Sequence, residues 1–304
     1  MLGNMMNGQL QISGLIEHAE KYHSDVEIVS RSVEGPIHRY TYTDAAKRSR
    51  KLANALTKLG LKKGDTVGTL AWNTFRHFEL YFGVSGIGCV VNTVNPRLFP
   101  EQLTYIINHA ENQYLFIDLT FVELVESLQG ELKGVKGFVI LTDRENMPDT
   151  KLANTICYEE LISDESEDFQ WPEFDENTAS SLCYTSGTTG NPKGVLYSHR
   201  STILHAWIVS SGNVAKVSSS SCILPVVPMF HVNAWGIPYA GAMFGAKLVF
   251  PGPALDGASL FELIDNEKPD LLMGVPTVWL GLLQHLRETN QTLDCVETAL
   301  VGGS

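Results

Sequence analysis

Residues 66–91, TVGTLAWNTFRHFELYFGVSGIGCVV, hold a complete strand–helix–strand pattern. A β-rich run, Thr66–Leu70, comes before the helical stretch 75–84, and a second β-rich run follows at 89–91. Short apolar strands that alternate with helices of about ten residues are typical of βαβ units, because parallel neighbours need a crossover connection. The stretch therefore predicts an α/β fold built around a mostly parallel sheet.

The same alternation continues on both sides of this stretch. Further β-rich runs occur at 114–118, 138–141, 182–184, 195–197, 223–227, 248–250, 271–273 and 298–301, and helical stretches occur from Pro100 and at 12–22, 121–128, 201–209, 260–266 and 277–286. Residues 158–177 contain nine acids and no Lys or Arg, which predicts an exposed connector. We predict two stacked, mostly parallel βαβ-type sheets with flanking helices. A first α/β subdomain would span 1–178, with the acidic connector at 158–177, and a second would span 179–304.

The composition excludes several classes of protein. With 304 residues, 44% of them hydrophobic and 18% charged, the chain resembles an ordinary globular protein rather than a disordered, collagenous or coiled-coil one. The chain has 22 Lys and Arg residues and 34 Asp and Glu residues, which gives a formal net charge of -12. This balance argues against a dedicated nucleic-acid binder or a binder of anionic membranes.

The cysteines and the apolar segments indicate the cellular compartment in which the protein is expected. The five cysteines are widely spaced and never form a C-x-x-C pair, so neither a zinc ribbon nor a disulfide framework is indicated. The first ten residues show no basic run followed by an apolar core, so no secretory signal is indicated. The weakly polar run 237–250 is shorter than the roughly 20 residues that cross a bilayer. We expect a cytoplasmic protein without a transmembrane segment.

The chemistry is concentrated in residues 184–194, YTSGTTGNPKG. Its glycines permit positive φ and close approach of a ligand, while its hydroxyls and successive N–H groups can donate to phosphate oxygens. Lys193 adds a positive charge, and Pro192 keeps the preceding residue extended. The run differs from the G-x-x-x-x-G-K-[ST] P-loop because Gly194 follows the lysine. A flexible linker is the alternative, but the β-rich runs on both sides favour a phosphate-binding loop.

The distribution of charge supports the same interpretation. Residues 177–255 contain no Asp or Glu, in a protein that is acidic as a whole. The basic residues of this stretch are Lys193, Arg200, Lys216 and Lys247. The stretch therefore predicts a locally positive surface that would favour a polyanion such as ATP.

The 184–194 loop resembles the signature loop of the adenylate-forming (AMP-binding) superfamily, which includes acyl-CoA synthetases, luciferases and peptide-synthetase adenylation domains. Three further segments resemble bacterial medium- and long-chain fatty-acyl-CoA synthetases: NTVNPRL at 92–98, VPMFHVNAWG at 227–236 and GVPTVW at 274–279. The resemblance covers nearly the whole chain. It implies an α/β fold and an acid–thiol ligase.

The resemblance also implies roles for individual residues. The catalytic residues would be Thr185, Lys193 and His231. The ATP phosphates would be bound by Thr185, Ser186, Gly187, Thr188, Thr189, Gly190 and Lys193, with Thr185 also helping to hold Mg²⁺. The acyl side would be formed by His231, Trp235, Val275, Gly302 and Gly303, and the side next to adenine by Gly302, Gly303 and Ser304. Without the resemblance, His231 and Trp235 would be ordinary partly buried core residues.

The implied reaction joins a fatty acid to CoA at the expense of ATP, with AMP and pyrophosphate as products. A carboxylate is ionised at neutral pH, so it can attack the α-phosphate without a general base. ATP, Mg²⁺ and CoA are the implied small molecules, no nucleic acid is expected, and the resemblance is compatible with a homodimer. Two alternatives stay open: a CoA ligase for a short or sulfur-containing acid, and a nucleotide-binding remnant without catalysis.

The sequence also departs from the family pattern. The aromatic-Gly-x-Thr-Glu motif, the ribose-binding Asp, the hinge and the small C-terminal domain with its catalytic Lys are not found within residues 1–304. We therefore expect an incomplete N-terminal domain. On its own, such a fragment is expected to be inactive.

Overall fold

The computed structural model describes residues 1, 3–185 and 190–303. Its strands are β1 (Glu27–Arg31), β2 (Ile37–Thr41), β3 (Thr66–Leu70), β4 (Val90–Thr93), β5 (Asn112–Ile117), β6 (Gly137–Ile140), β7 (Thr155–Cys157), β8 (Ala179–Tyr184), β9 (Gly194–Ser198), β10 (Cys222–Pro225), β11 (Lys247–Phe250), β12 (Leu271–Gly274) and β13 (Thr298–Val301). Its helices are α1 (Ile12–Tyr22), α2 (Tyr42–Lys58), α3 (Phe75–Gly86), α4 (Pro100–His109), α5 (Val122–Leu128), α6 (Tyr158–Ser163), α7 (His199–Val209), α8 (Ile237–Phe244), α9 (Gly257–Glu267) and α10 (Pro276–Thr289). The predicted α/β class is confirmed.

Local side-chain chemistry sets many of the helix ends. The Thr41 hydroxyl accepts from the backbone N–H of Asp44, whose carboxylate accepts from the Thr41 N–H, and this capping box starts α2. Ser198 caps α7, and Asp256 caps α9. Helix α8 ends at Phe244, and its C-cap, Gly245, has a left-handed φ of 69° that suits glycine. These caps fix where the helices begin or end, and therefore where the adjoining loops start.

The strands form two mixed sheets. The first sheet has the order β7-β6-β5-β3-β4-β8-β9, and the second has the order β13-β12-β10-β11-β1-β2. Neighbours are parallel except for the pairs β8–β9 and β1–β2. This agrees with the predicted, mostly parallel sheets.

The sheets do not divide at residue 178, where the sequence predicted a boundary between two subdomains. Strands β8 and β9 lie in the sheet formed by strands of the first half, while β1 and β2 lie in the sheet formed by strands of the second half. Hydrogen bonding between distant strands decides sheet membership, and chain order did not reveal it. The phosphate loop therefore leaves the first sheet, although it was assigned to the second subdomain.

Alternation along the strands puts apolar side chains on both faces of each sheet. Val67 and Phe116 of the first sheet and Ile28 and Phe250 of the second share one core with residues of α1, α2, α3, α7 and α8. Leu115 points to the opposite face, which packs against α4 and α5, and the outer face of the second sheet packs against α9 and α10. Helices therefore lie between the sheets and on both outer faces.

The acidic segment 158–177 is more firmly anchored than the predicted exposed connector. Tyr158 is fully buried, and Phe174 is 8% exposed. Glu159 pairs with bases of α2 and α3, and Glu165 and Glu176 also form ion pairs. The segment has no basic residues of its own, so the basic partners of these acids come from other elements.

Within the described parts of the chain, no helix is both long enough and apolar enough to span a membrane.

Candidate functional site

The segments that the sequence singled out follow the carboxyl ends of strands. The phosphate loop leaves β8, residues 226–236 leave β10, Val275 follows β12, and residues 302–303 follow β13. In open α/β sheets, ligands bind outside the carboxyl ends of the strands. The fold therefore places all of these segments where a ligand site is expected.

Asn73, just beyond β3, links this edge of the two sheets. Its side-chain amide donates to the carbonyl oxygens of Pro225 and Val227, at 2.7 and 2.8 Å. Its side-chain oxygen accepts from the Met229 N–H at 2.7 Å, and its backbone oxygen accepts from the Gly252 N–H at 3.1 Å. One buried residue thus holds the ends of β3, β10 and β11 together, through its side chain and its backbone oxygen.

The phosphate loop is closed at its base by a continuation of the β8–β9 ladder. The Thr185 N–H donates to the Lys193 carbonyl at 3.0 Å, and the Thr185 hydroxyl lies 3.5 Å from the same oxygen. Gly190 has a φ of +94°, with open space where a Cβ would stand. Lys193 is exposed. The predicted phosphate-binding residues Ser186, Gly187, Thr188 and Thr189 lie outside the described residues.

The positive surface that the sequence predicted is smaller in the structure. Arg200 pairs with Glu176, and Lys247 lies 2.9 Å from both Glu27 and Glu267. These acids come from other parts of the chain and neutralise two of the four bases in the acid-free stretch. Lys193 is exposed in the phosphate loop, where its charge can act on a ligand.

The left-handed turn, Val232–Gly236, lies within the motif 227–236, which the sequence predicted on the acyl side. Val232, Asn233, Ala234 and Trp235 have φ between 48° and 54°, and Gly236 has a φ of 76°. A left-handed conformation costs roughly 1–2 kcal/mol for each L-residue other than glycine, so the surrounding contacts must offset this strain. His231, just before the turn, is exposed, while Trp235 is half-buried.

The amide of Asn233 supplies several of those contacts. Its nitrogen donates to the Ser181 hydroxyl at 3.1 Å and to the Tyr239 hydroxyl at 3.3 Å, and its oxygen accepts from the Cys183 thiol at 3.0 Å. Burial raises the pKa of Cys183, so the thiol stays protonated and can donate. The thiol also lies 3.0 Å from the Thr93 hydroxyl at the end of β4.

A cavity of about 250 Å³ opens beside the left-handed turn. It is lined by Ser181, Tyr197, Ser201, Thr202, His205, Val232, Asn233, Gly236 and Tyr239. A Cβ on Gly236 would stand 2.6 Å from the His205 ring, so only glycine fits there. Burial lowers the pKa of His205, which favours a neutral imidazole at pH 7.

The structure brings most of the predicted acyl-side residues together. A Cβ on Gly302 would stand 3.1 Å from the Trp235 ring, and one on Gly303 would stand 3.4 Å from Val275. The Gly302 N–H donates to the Gly274 carbonyl at 3.3 Å, which continues the β12–β13 pairing. His231 precedes the same turn as Trp235. Ser304, predicted beside adenine, lies outside the described residues.

Sequence reasoning missed two partners of the site. His109, at the end of α4, lies 2.7 Å from the Tyr184 hydroxyl, directly before the phosphate loop. Asn233 was quoted within a motif but received no role. Both make contacts across long stretches of chain, and no local spacing could have identified them.

The chain was compared with known proteins. The AMP-binding enzyme family model matches residues 15–304. The chain is 51% identical over 304 residues to the 3-methylmercaptopropionyl-CoA ligase of Ruegeria lacuscaerulensis and 50% identical to the medium-chain-fatty-acid–CoA ligase of Ectopseudomonas oleovorans. Each alignment covers 100% of this chain and 56% of the relative. The chain thus spans just over half the length of these relatives.

Solved structures show the same fold. The anthranilate CoA ligase AuaEII, determined in complex with anthranoyl-AMP, superposes with a TM-score of 0.87 at 21% identity, over 100% of this chain and 57% of that protein. At this identity the likeness shows the fold alone. The family match extends over nearly every residue, from the first helix to the end of β13, and includes the phosphate loop and the acyl-side turn. The chain belongs to the AMP-binding enzyme family.

Proposed function

We propose that the chain provides the ATP-phosphate and acyl-binding part of an acid–thiol ligase that joins a medium-chain fatty acid to CoA through an acyl-adenylate. The observation that carries this proposal is the cavity beside the left-handed turn, whose wall includes Ser181 of β8, the strand that leads into the phosphate loop. An acid held in the cavity would have its carboxylate near the ATP phosphates. We also propose a cytoplasmic location and a homodimer, the latter from the family resemblance alone.

The size of the cavity favours a medium-length chain. An apolar protein cavity of about 150 Å³ accommodates benzene, which has six carbons. On that basis, a cavity of about 250 Å³ accommodates about ten carbons. The Ser181 and Tyr239 hydroxyls at its wall already accept from Asn233, so an alkyl chain would leave these groups hydrogen-bonded.

The residues present suit the first half-reaction. The carboxylate needs no base, so the protein must hold it in line with the α-phosphate and stabilise the departing pyrophosphate. Lys193 and the N–H groups of the loop would bind the phosphates, and the Thr185 hydroxyl would help to place the Mg²⁺ that arrives with ATP. Within residues 3–185 and 190–303, no group of three or more His, Cys, Asp or Glu side chains is placed to hold a metal.

A second candidate is activation of a short sulfur-containing acid. Two relatives, at 51% and 48% identity, are named 3-methylmercaptopropionyl-CoA ligases. On the same scale that acid, with four carbons and one sulfur, would fill about half of the cavity, which is why the medium-chain acid is preferred.

The test uses the complete gene product that carries residues 1–304. Acid-dependent exchange of pyrophosphate into ATP and release of AMP with CoA are measured for butyrate, 3-methylmercaptopropionate, octanoate, decanoate and palmitate. We expect the highest kcat/KM with octanoate or decanoate. A maximum with 3-methylmercaptopropionate would favour the second candidate. ATP binding without exchange for any acid would favour the non-catalytic remnant.

Trp235 provides a further test, because its ring closes against Gly302 at the acyl side. We expect Trp235→Ala to change the relative kcat/KM of octanoate and palmitate, since removal of the ring would enlarge the acyl path. Trp207→Ala, on the exposed face of α7, serves as the control. A loss of stability with the chain-length preference unchanged would assign Trp235 to packing alone.

A further inference from the structure

We propose that Asn233 is a positioning residue that fixes the acyl-side turn to the strand that leads into the phosphate loop. The inference rests on the proposed function, because it gives Asn233 a part in the same reaction. The proposed function assigns Asn233 only a place in the cavity wall.

The strand side of this link ends at the phosphate loop. Asn233 contacts Ser181 at 3.1 Å and Cys183 at 3.0 Å, two alternate residues on one face of β8. Alternation places Thr185 next on that face, and its N–H continues the ladder to Lys193. The amide of Asn233 therefore contacts the two residues, Ser181 and Cys183, that precede Thr185 on this face of β8.

The other side of the link is the turn itself. Asn233 lies between His231 and Trp235, and the third contact of its amide reaches Tyr239 on α8 at 3.3 Å. The residue is 6% exposed, and each polar atom of its side chain has a partner. A fully bonded, buried amide has one orientation available, which suits a rigid connection between two parts of a site.

The reaction requires such a connection. A carboxylate on the acyl side must approach the α-phosphate in line, and a displacement of about 1 Å can reduce the rate about 100-fold. Loss of the amide removes the contact that sets the separation of β8 and the turn, while Lys193 and the other residues of the cavity wall remain. Turnover should therefore decrease more than the affinity for either substrate.

The decisive variant is Asn233→Gly in the complete gene product. Glycine accepts the left-handed conformation without strain, so this change removes the amide and keeps the backbone geometry. The matched control is Asn290→Gly, because Asn290 also has a left-handed φ, 52°, and is exposed at the end of α10. Octanoate-dependent exchange of pyrophosphate into ATP, with separate kcat and KM values for octanoate and ATP, is measured together with the melting temperature.

We expect kcat of Asn233→Gly to fall about 10- to 100-fold, with both KM values within about threefold of the parent, and Asn290→Gly to retain parental kinetics. An unchanged kcat in folded Asn233→Gly would overturn the proposal. If Asn233→Gly does not fold, Ser181→Ala decides, because it removes the acceptor of the amide on β8: a lower kcat with KM retained supports the link, and parental kinetics refute it. Absence of octanoate-dependent exchange in the parent would instead contradict the proposed function.

Discussion

Lys193 carries the charge that remains beside the phosphate loop. We expect Lys193→Ala to raise KM for ATP about 10- to 100-fold, because a hydrogen bond to a charged group contributes about 1.5–3 kcal/mol. KM for the fatty acid should change little. The measurement is steady-state pyrophosphate exchange with each substrate varied in turn.

Lys216→Ala is the control for this charge, since Lys216 is exposed in the same acid-free stretch. An equal rise in KM for ATP in both variants would mean that only the general field of the protein acts on ATP. Unchanged kinetics in Lys193→Ala would remove Lys193 from the phosphate site.

Asp118, at the end of β5, makes stability depend on pH. Burial raises its pKa to about 7, although the Trp72 N–H donates to the carboxylate and Arg76 lies nearby. The pKa of Asp118 is higher in the folded state than in the unfolded state. Between about pH 4 and pH 7 the folded state therefore keeps a proton on Asp118 that the unfolded state has lost. The free energy of unfolding falls as pH rises through this range. We expect Asp118→Asn to reduce this decrease, as measured by urea unfolding at pH 5 and pH 8. The exposed Asp164→Asn should leave it unchanged.

Local motifs predict residues of the site only where the contacts are local. Thr185 and Lys193 lie in one short loop, and their residue types alone indicate phosphate binding. The contacts of Asn233 with Cys183 and Ser181 span 50 and 52 residues, and that of His109 with Tyr184 spans 75. Such partners depend on how strands and turns meet in space, and a single sequence carries no local signal for that.

Helices α2 and α3 are joined to the acidic segment by buried charges. Arg48 donates to Glu79 at 2.7 Å and to both oxygens of Glu159 at 2.9 Å, and the Glu79 side chain is fully buried. We expect Arg48→Met to lower the free energy of unfolding by about 3–5 kcal/mol, because it leaves the buried Glu79 without its cationic partner, with the Tyr158 hydroxyl still donating to it. Urea unfolding followed by circular dichroism measures the change.

The matched control is Arg144→Met, which breaks an exposed pair with Glu160. Exposed pairs contribute about 0.2–1 kcal/mol, so its effect should be much smaller. Similar losses in the two variants would show that burial of the Arg48 network adds nothing to its strength.

Elements with a clear apolar pattern are predicted well from the sequence. Elements whose charged side chains pair with residues of other elements are not. Strand β3 has the predicted bounds, and α3 extends the predicted helix by two residues. Residues 27–58 receive no prediction from their pattern, yet they form β1, β2 and α2. Arg39 of β2 pairs with Glu27 and Glu267, so its charge is satisfied by partners that the sequence does not place beside it. The capping box at Thr41 was the available local signal for α2.

The whole molecule depends on strands that cross between its halves. We expect residues 1–178 and 179–304, expressed separately, to aggregate or to lack cooperative unfolding. The first part lacks β8 and β9, and its β1 pairs with β11 of the second part. Urea unfolding of each part is compared with that of the intact chain, and refolding the two parts together serves as the control. Cooperative unfolding of both isolated parts would contradict this expectation.

The pairing of β1 with β11 also sets a delay during synthesis. Ile28 pairs with Leu248, which is made 220 residues later. At about 5–20 residues per second, β1 and β2 leave the ribosome about 10–45 s before their parallel partner exists. During that interval the edge of β1 is open to other nascent chains. A chaperone that shields this hairpin would therefore act before the parallel partner of β1 has been made.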